Sequence, residues 1–282
     1  MSTRTLRYRL SEPVVVLGTD DVASAIGHAL HGAGVAVVLT RDTRFPVLRR
    51  EMSFDDALER GSVTLDGVAG RATEGLLELL HALHADDESV PVTALAPDDL
   101  LCLGAIAGIV DARMRRHSPK VDLRPFVPLA VGLGPGFEAG RNVHVAIETA
   151  PEATGRILYD RATIPAHGRS ALLGGIGRQR FERAPIDGTW TTSRSIGDAV
   201  RDGDLIGHCG GVPVVAPLDG VLRGLVRDRT QVGQGMRLLE VDPRGPDGQW
   251  RGIPPRAAQI AAAVRTVVET EVAAPAQVGW RR

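Results

Sequence analysis

The chain has 282 residues, of which 43% are hydrophobic and 24% are charged, and its formal net charge at pH 7 is -1. This length corresponds to about two domains, and the near-neutral charge argues against a nucleic-acid-binding protein, which ordinarily carries a basic face. The longest apolar run, residues 100–110, is too short to span a bilayer, so no membrane attachment is predicted. Two cysteines, Cys102 and Cys209, are too few for a disulfide scaffold, which predicts a reducing, cytoplasmic location.

The N-terminal half alternates predicted strands and helices. A β-branched run at residues 14–17 ends at Gly18, residues 21–31 have the apolar spacing of a helix, and residues 35–40 form a second buried-type strand. A right-handed crossover through this helix makes the two strands parallel. This unit is typical of the start of a Rossmann-like sheet, so residues 1–150 are predicted to form a Rossmann-like α/β domain.

The turn after the first strand departs from a dinucleotide-binding fingerprint. The run Gly18-Thr19-Asp20-Asp21-Val22-Ala23 keeps the first Gly and the closing Ala of Gly-x-Gly-x-x-Gly/Ala, but Asp20 replaces the middle Gly. Two carboxylates cap a helix well and also repel a phosphate. Two interpretations therefore stay open: a dinucleotide site that includes Gly18 and Asp21, or a structural turn. Arg41, after the second strand, is a 2′-phosphate ligand in the first case and a solvated loop charge in the second.

The chain then continues with shorter predicted elements. An Asp-Gly pair at residues 66–67 between two β-prone runs predicts a hairpin. The remaining predicted strands cover residues 90–94, 106–112, 127–131 and 144–149, and the helices cover residues 73–84 and 97–103.

Two strand ends carry the strongest local indications of a ligand site. Gly132, Gly134 and Gly136 allow backbone N–H groups to approach an anion, or else form a tight turn. Asp111 and Arg113 lie at the end of the preceding strand, where Arg113 suits a phosphate and Asp111 can orient it or act as an acid or base. Because ligands of open α/β sheets bind at the carboxyl ends of strands, these two ends are predicted to meet around a small anionic ligand.

His144 and Glu148 are the other catalytic candidates. They are four residues apart on a predicted strand and so share one face, either as an acid–base pair or as an ordinary polar face. The sequence contains no nucleophile elbow, Walker loop or metalloprotease helix, and no metal site is predicted.

An internal repeat marks the C-terminal half. The run Ala184-Pro185-Ile186-Asp187-Gly188 recurs 32 residues later as Ala216-Pro217-Leu218-Asp219-Gly220. Two such β units resemble the barrel-sandwich hybrid of biotinyl and lipoyl domains, here predicted for residues 184–245, after a connecting segment at 151–183 and before a helix and tail at 246–282. The single lysine, Lys120, lies outside this region, so no covalently attached biotin or lipoate is expected.

Several stretches together resemble one family: residues 18–34, Arg49-Arg50-Glu51-Met52-Ser53-Phe54, Val110-Asp111-Ala112-Arg113-Met114, residues 132–140 with His144 and residues 147–149, and the repeat closing in Val241-Asp242-Pro243-Arg244. Their order and spacing resemble the selenium-dependent molybdenum hydroxylase accessory proteins of the YqeB type, which are related to the XdhC and CoxI maturation factors. The resemblance runs over residues 14–268.

The resemblance implies an NAD(P)-type Rossmann fold joined to a barrel-sandwich domain, and a role in maturing, loading or inserting the cofactor of a molybdopterin enzyme. The implied ligand is a molybdopterin-type cofactor or NAD(P), and the implied partners are a molybdenum hydroxylase client or other maturation factors. The first turn departs from the family's Gly-Gly-Gly-Asp, and Arg115-Arg116-His117 replaces a Lys-Arg-Asn-like run. Two alternatives stay open: an NAD(P)-dependent oxidoreductase, and a non-catalytic structural adaptor that docks partners or forms a homo-oligomer.

Overall fold

The computed structural model describes residues 12–84, 88–101, 104–166, 168 and 170–272; Cys102 and the predicted tail beyond residue 272 lie outside them. The described residues form a nine-stranded mixed sheet, two four-stranded antiparallel sheets and a C-terminal helix. The α/β first half and the all-β region that follows it are thereby confirmed at this level.

The strand order of the large sheet reverses next to its first strand. Its strands are β1 (Val14–Leu17), β2 (Val37–Thr40), β3 (Ser62–Leu65), β4 (Val68–Thr73), β5 (Ser89–Thr93), β6 (Gly108–Asp111), β7 (Leu129–Leu133), β8 (Val145–Ile147) and β9 (Ile157–Leu158). The order is β3-β4-β5-β2-β1-β6-β7-β8-β9, and all neighbours are parallel except β3 with β4 and β8 with β9. The chain leaves β1 toward β2 and later returns on the opposite side at β6, which opens a crevice at their carboxyl ends.

The predicted strand–helix–strand unit at the N-terminus is confirmed. Helix α1 (Asp21–Gly32) connects β1 to the parallel strand β2, and its buried face consists of small and aliphatic side chains. The carboxylate of Asp20 accepts hydrogen bonds from the N–H groups of Val22 and Ala23, at 3.1 and 3.0 Å, and so caps the helix.

The shorter elements follow their predicted positions with small shifts. Helices α2 (Ala57–Arg60), α3 (Leu76–His84) and α4 (Pro97–Leu100) lie between the strands. The predicted hairpin joins β3 to β4 through Asp66 and Gly67, both with positive φ, as a tight hairpin turn requires. One boundary was wrong: Gly132 lies inside β7, where it is in register with Asp111 and Ala146, and not in the loop after it.

The antiparallel region contains eight strands in two sheets. They are β10 (Phe181–Arg183), β11 (Gly188–Thr191), β12 (Ala199–Val200), β13 (Leu205–Cys209), β14 (Val212–Val215), β15 (Gly220–Leu225), β16 (Thr230–Val232) and β17 (Arg237–Asp242). One sheet has the order β10-β17-β15-β12 and the other β14-β13-β11-β16. Their facing sides share a hydrophobic core that contains Trp190 and Cys209, so the thiol is a buried core group.

The internal repeat corresponds to two equivalent halves of this region. Gly188 pairs with Val232 and, 32 residues away in each copy, Gly220 pairs with Val200. The repeated aspartates also make equivalent hydrogen bonds, because Asp187 accepts from the N–H of Gln234 and Asp219 from that of Asp202. Each half thus closes a turn of the other, which explains why the Ala-Pro-x-Asp-Gly run occurs twice.

Helix α5 (Pro255–Glu271) returns to the large sheet. Its apolar residues Ile260, Val264 and Val267 belong to the same buried cluster as α1, β1 and β2. At its first turn, Arg256 donates to the carbonyl oxygen of Thr149 at 2.7 Å, so the helix begins near the carboxyl end of β8. In the described parts of the chain, no helix has both the length and the apolarity that crossing a membrane requires.

Candidate functional site

The carboxyl ends of β1, β6 and β7 lie side by side. Asp111 is in register with Leu17 on one side and with Gly132 on the other, which confirms that the two predicted strand ends meet. Gly18 leaves β1 with φ of 121°, and a Cβ on it would lie 3.6 Å from the backbone of Ala112. The crevice between β1 and β6 is therefore narrow at its floor.

Asp111 and Arg113 form an ion pair at this edge. Arg113 donates from Nε to Asp111 Oδ1 at 3.0 Å and from Nη2 to Oδ2 at 2.5 Å, and Asp111 is only 4% exposed. This hydrogen bond is the main reason that the pKa of Arg113 is raised. Of the roles considered for Asp111, orienting Arg113 is the one that these contacts match.

The glycine-bearing loop after β7 is folded back onto the sheet. A Cβ on Gly132 would lie 2.2 Å from the ring of Phe137, which covers the strand there. The N–H groups of Gly134 and Phe137 donate to the carbonyl oxygens of Ile147 and Gly134. Gly136 lies against the side chain of Lys120, whose Nζ is 4.6 Å from the Phe137 ring centroid. These contacts match the tight-turn interpretation of the loop, because two of its N–H groups already have partners.

His144 and Glu148 flank β8 and have separate partners. His144 Nδ1 accepts from the N–H of Ala130 at 2.9 Å. Glu148 accepts from three backbone N–H groups, including those of Thr149 at 2.7 Å and Ile164 at 2.6 Å. Both side chains therefore hold backbone in place, and no hydrogen bond between the two is found among the described residues.

The carboxylates of the turn after β1 are already hydrogen-bonded within the chain. Asp20 occupies N–H groups of α1 that would otherwise face a pyrophosphate. Burial and the neighbouring Asp21 raise the pKa of Asp20 to about 7. Asp21 accepts a hydrogen bond from Arg49 Nη1 at 2.8 Å. Gly18 and Asp21 thus lie where the strand order reverses, but their surroundings are carboxylate-rich.

Arg41 belongs to a set of alternating charges, here called the paired cluster, which consists of Arg41, Arg50, Asp55, Asp56, Glu59 and Arg227. Arg41 donates to Asp55 and to Glu59, each at 2.9 Å. Arg227, from the segment between β15 and β16, contacts all three carboxylates, so this cluster ties the antiparallel region to the large sheet. Arg41 is therefore neither a solvated loop charge nor free for a 2′-phosphate. A cavity of about 160 Å³ lies beside it.

A second ionic network links the start of α1 to β17. Glu240 is fully buried and accepts from Arg49 Nε at 2.7 Å and from Arg180 Nε at 2.8 Å, while Arg49 also binds Asp21. Burial favours the neutral acid, but Arg49 and Arg180 outweigh it and lower the pKa of Glu240 to about 2. The sequence drew attention to Arg49 only through the family resemblance and gave no indication of Glu240.

Three further arginines, Arg116, Arg178 and Arg237, are here called the unpaired cluster. Arg116 lies in the loop after β6, Arg178 opens the 3₁₀ turn before β10, and Arg237 begins β17. No residue within the described ranges forms a hydrogen bond or a salt bridge with the guanidinium group of any of the three. Burial and repulsion from Arg178 lower the pKa of Arg116. Burial and repulsion from Arg183, Arg116 and Arg49 lower that of Arg237 to about 10. The sequence drew attention to Arg116 only as part of Arg115-Arg116-His117 and gave no indication of Arg178 or Arg237.

No family model and no solved structure matches the chain. The chain is similar to the uncharacterized protein YqeB of Escherichia coli (strain K12), with 29% identity over 254 residues. The matched region covers 89% of this chain and 46% of that protein, so the chain spans about half the length of this relative. The similarity supports the YqeB-type part of the resemblance; it carries no information about molybdenum enzymes.

Proposed function

We propose that this chain is a cytoplasmic accessory protein in the maturation of a molybdenum hydroxylase. It binds an anionic small molecule of the molybdopterin or nucleotide type, or the client enzyme itself, without turning over a substrate. The family resemblance over most of the chain and the similarity to YqeB support the family context.

The fold is interpreted accordingly. The parallel strands around β1, with the reversal of strand order between β1 and β6, are interpreted as a Rossmann-like domain. The two antiparallel sheets, related by the repeat, are interpreted as a barrel-sandwich hybrid without a carrier lysine. In this arrangement the ligand lies at the carboxyl edge of the large sheet, where the antiparallel region approaches it.

The observation that carries the proposal is the excess of arginine over carboxylate at that place. Glu240 and Asp21 are already engaged by Arg49 and Arg180. The guanidiniums of the unpaired cluster come from both parts of the chain; besides burial, repulsion from Arg178 lowers the pKa of Arg116, and repulsion from Arg183, Arg116 and Arg49 lowers that of Arg237. An anionic ligand would supply the missing counter-charge.

The test combines ligand retention and client capture. The full chain is purified from a cell that makes molybdenum hydroxylases, and the small molecules released from it are identified by mass spectrometry. Tagged chain is used in parallel to capture a molybdenum hydroxylase. We expect a bound pterin or nucleotide, or a captured hydroxylase, or both; if neither is found, the proposal is wrong.

The second candidate function is an NAD(P)-dependent oxidoreductase, and fewer contacts at the site support it. Asp20 occupies the helix N–H groups that a pyrophosphate needs, and Arg41 is held by Asp55 and Glu59. Titration of the chain with NADH and NADPH separates the two functions, because saturable binding below millimolar concentration would favour the oxidoreductase. A pure adaptor would capture its client equally well after the unpaired arginines are replaced.

A further inference from the structure

We propose that the cavity beside Arg41 binds one uncharged pyrimidine-type ring that carries carbonyl and N–H groups, either as a free heterocycle or as the ring end of a larger ligand. The cavity has a volume of about 160 Å³ and lies between the loop that follows β2, residues 41–47, and the antiparallel region. The inference rests on the proposed function only for what is attached to the ring, and it adds that the antiparallel region supplies one wall of the site.

Both parts of the chain line the cavity. Thr43, Phe45 and Asp55 line it from the large sheet and its loops, whereas Gln231 and Met236 line it from the antiparallel region. Gln231 belongs to β16, and Met236 directly precedes β17. A ligand in this cavity would therefore contact both parts at once, so its binding requires the antiparallel region to be packed against the loop.

The loop that forms the other wall is fixed at both of its ends. Asp42 forms an ion pair with Arg115, and its Oδ1 also accepts from the N–H of Arg44 at 3.0 Å. At the other end, the carbonyl oxygen of Leu48 accepts from the N–H of Leu225 in β15 at 2.8 Å. The cavity is consequently formed between anchored segments, which lowers the entropy cost of binding a small rigid ring.

The acids that line the cavity already have arginine partners. The Asp55 carboxylate accepts from Arg41 Nε at 2.9 Å and from Arg227 Nη2 at 3.0 Å, and Asp42 is paired with Arg115. An anionic ligand would be repelled by the two carboxylates and a cationic ligand by the arginines beside them. This lining therefore favours a ligand without charge.

An exposed aromatic ring also lines the cavity. Phe45 is 45% exposed, and the guanidinium carbon of Arg44 lies 5.6 Å from its ring centroid. Arg44 donates to Ser118 Oγ at 3.1 Å and is itself exposed, so solvent screens its charge. A planar ring that stacks on Phe45 would cover apolar surface that the fold leaves in water.

The rest of the lining is apolar or carries uncharged polar groups. Pro46 and Val47 are apolar. Gln231 donates from Nε2 to Thr189 Oγ1 at 2.7 Å, and within the described ranges its carbonyl oxygen accepts no hydrogen bond. The Thr43 hydroxyl likewise has no hydrogen-bond partner among the residues that the structure describes. An amide oxygen and a hydroxyl can hydrogen-bond the N–H and carbonyl groups at the edge of a pyrimidine-type ring.

The volume of the cavity corresponds to a single ring. A cavity of roughly 150 Å³ admits a molecule of the size of benzene, and this one measures about 160 Å³. A six-membered ring therefore fits inside, whereas a second fused ring or an attached sugar must extend beyond the cavity.

The experiment is a saturation-transfer NMR titration of the full chain with uracil and with isocytosine, two uncharged rings whose edges carry different donors and acceptors. Orotate, which is uracil bearing a carboxylate, is titrated in parallel. We expect saturable binding of at least one uncharged ring, with one site per chain, and at least about fivefold weaker binding of orotate than of uracil, about 1 kcal/mol.

Two variants test the walls of the cavity. Phe45→Ala removes the stacking surface and Gln231→Leu removes the amide, and each should weaken ring binding at least about fivefold, about 1 kcal/mol. Both side chains are exposed, so the variants should fold, which circular dichroism checks. Phe126→Ala is the matched control, since Phe126 is an exposed phenylalanine that precedes the amino end of β7; its ring affinity should equal that of the unchanged chain.

Three results would overturn the inference: neither uncharged ring binds, orotate binds as tightly as uracil, or ring binding survives in both folded variants. Uridine 5′-monophosphate and a pterin distinguish the sources, because one of them should bind more tightly than the free rings if the site receives the ring end of a larger ligand, and neither should if it receives a free heterocycle. Client capture is measured separately, so that absent ring binding with intact capture refutes this inference alone.

Discussion

The paired and unpaired clusters both combine arginines of the antiparallel region with residues of the large sheet, yet they differ in their counter-charge. In the paired cluster, Arg41, Arg50 and Arg227 contact three carboxylates that lie within one short segment. In the unpaired cluster, none of the three guanidiniums forms a salt bridge with an acid among the residues that the structure describes. The charges of the first cluster are therefore compensated within the chain, whereas the guanidiniums of the second have no ion-pair partner in the described part of the chain.

Glu240 belongs to neither cluster, and its replacement should lower the free energy of unfolding more than any other change proposed below. Glu240→Gln leaves the buried Arg180 and the neighbouring Arg49 without their shared carboxylate, so we expect a loss of about 3–5 kcal/mol in the free energy of unfolding. Urea denaturation measures it. Glu138→Gln, at an exposed pair with Arg141, is the control and should cost about 1 kcal/mol or less. If the loss of unfolding free energy is no larger than in the control, the ion pairs of Glu240 with Arg49 and Arg180 do not stabilise the fold as described.

Glu240→Gln should also change how the free energy of unfolding depends on pH in the acidic range. The pKa of Glu240 is lowered to about 2 in the folded state, whereas the unfolded chain has the ordinary value of 4.5. Its contribution is therefore fully present above pH 4.5 and is lost as the pH falls from there toward 2. Glu240→Gln should flatten the decline in unfolding free energy over this window, and an unaltered decline would contradict the assignment.

Local patterns predicted the parts of the fold that depend on near neighbours. Helical spacing and a β-branched run predicted β1, α1 and β2, and an Asp-Gly pair predicted the β3–β4 hairpin. The repeated Asp187 and Asp219 predicted two equivalent units, since each repeat closes a turn of the other.

The arginine clusters could not be predicted in this way. Arg116, Arg178 and Arg237 belong to three distant segments, and the repulsion of Arg116 by Arg178 and of Arg237 by Arg116 arises only in the folded chain. The chain contains 33 lysines and arginines, so no single arginine stands out in the sequence. Gly132 was placed in the loop after β7 for a related reason. Its position requires glycine because the Phe137 ring, which returns from that loop, occupies the space that a Cβ would need.

The paired cluster is tested by Asp56→Asn. Asp56 is buried and accepts from Arg50 at 2.8 Å and from Arg227, so the loss of its charge should lower the unfolding free energy by about 1.5–3 kcal/mol. Asp160→Asn, at an exposed pair with Arg161, is the control, with an expected change within about 0.5 kcal/mol. A loss no larger than that of the control would contradict the comparison.

Gly132→Ala tests whether the glycine-bearing loop belongs to the ring-binding cavity. The added methyl group would meet the buried Phe137 ring at 2.2 Å, and such overpacking should cost about 1–3 kcal/mol of unfolding free energy. Gly32→Ala, with open space at the end of α1, should gain up to about 1 kcal/mol. Uracil affinity should stay unchanged in Gly132→Ala, because this loop does not line the cavity. A lost affinity in a folded variant would extend the site to this loop.

Arg237→Gln should have the smallest effect on the free energy of unfolding, and it distinguishes most sharply between the two clusters. It should change the unfolding free energy by less than about 0.5 kcal/mol or increase it, because lost stacking on Phe181 is offset by relief from repulsion by Arg183, Arg116 and Arg49. Asp56→Asn is the counterpart, since the loss of a compensating carboxylate should destabilise the chain. Measuring both variants by urea denaturation separates arginines that are compensated within the chain from those without an ion-pair partner in its described part. If Arg237→Gln is strongly destabilised, Arg237 acts as a structural residue and the contrast between the two clusters does not hold.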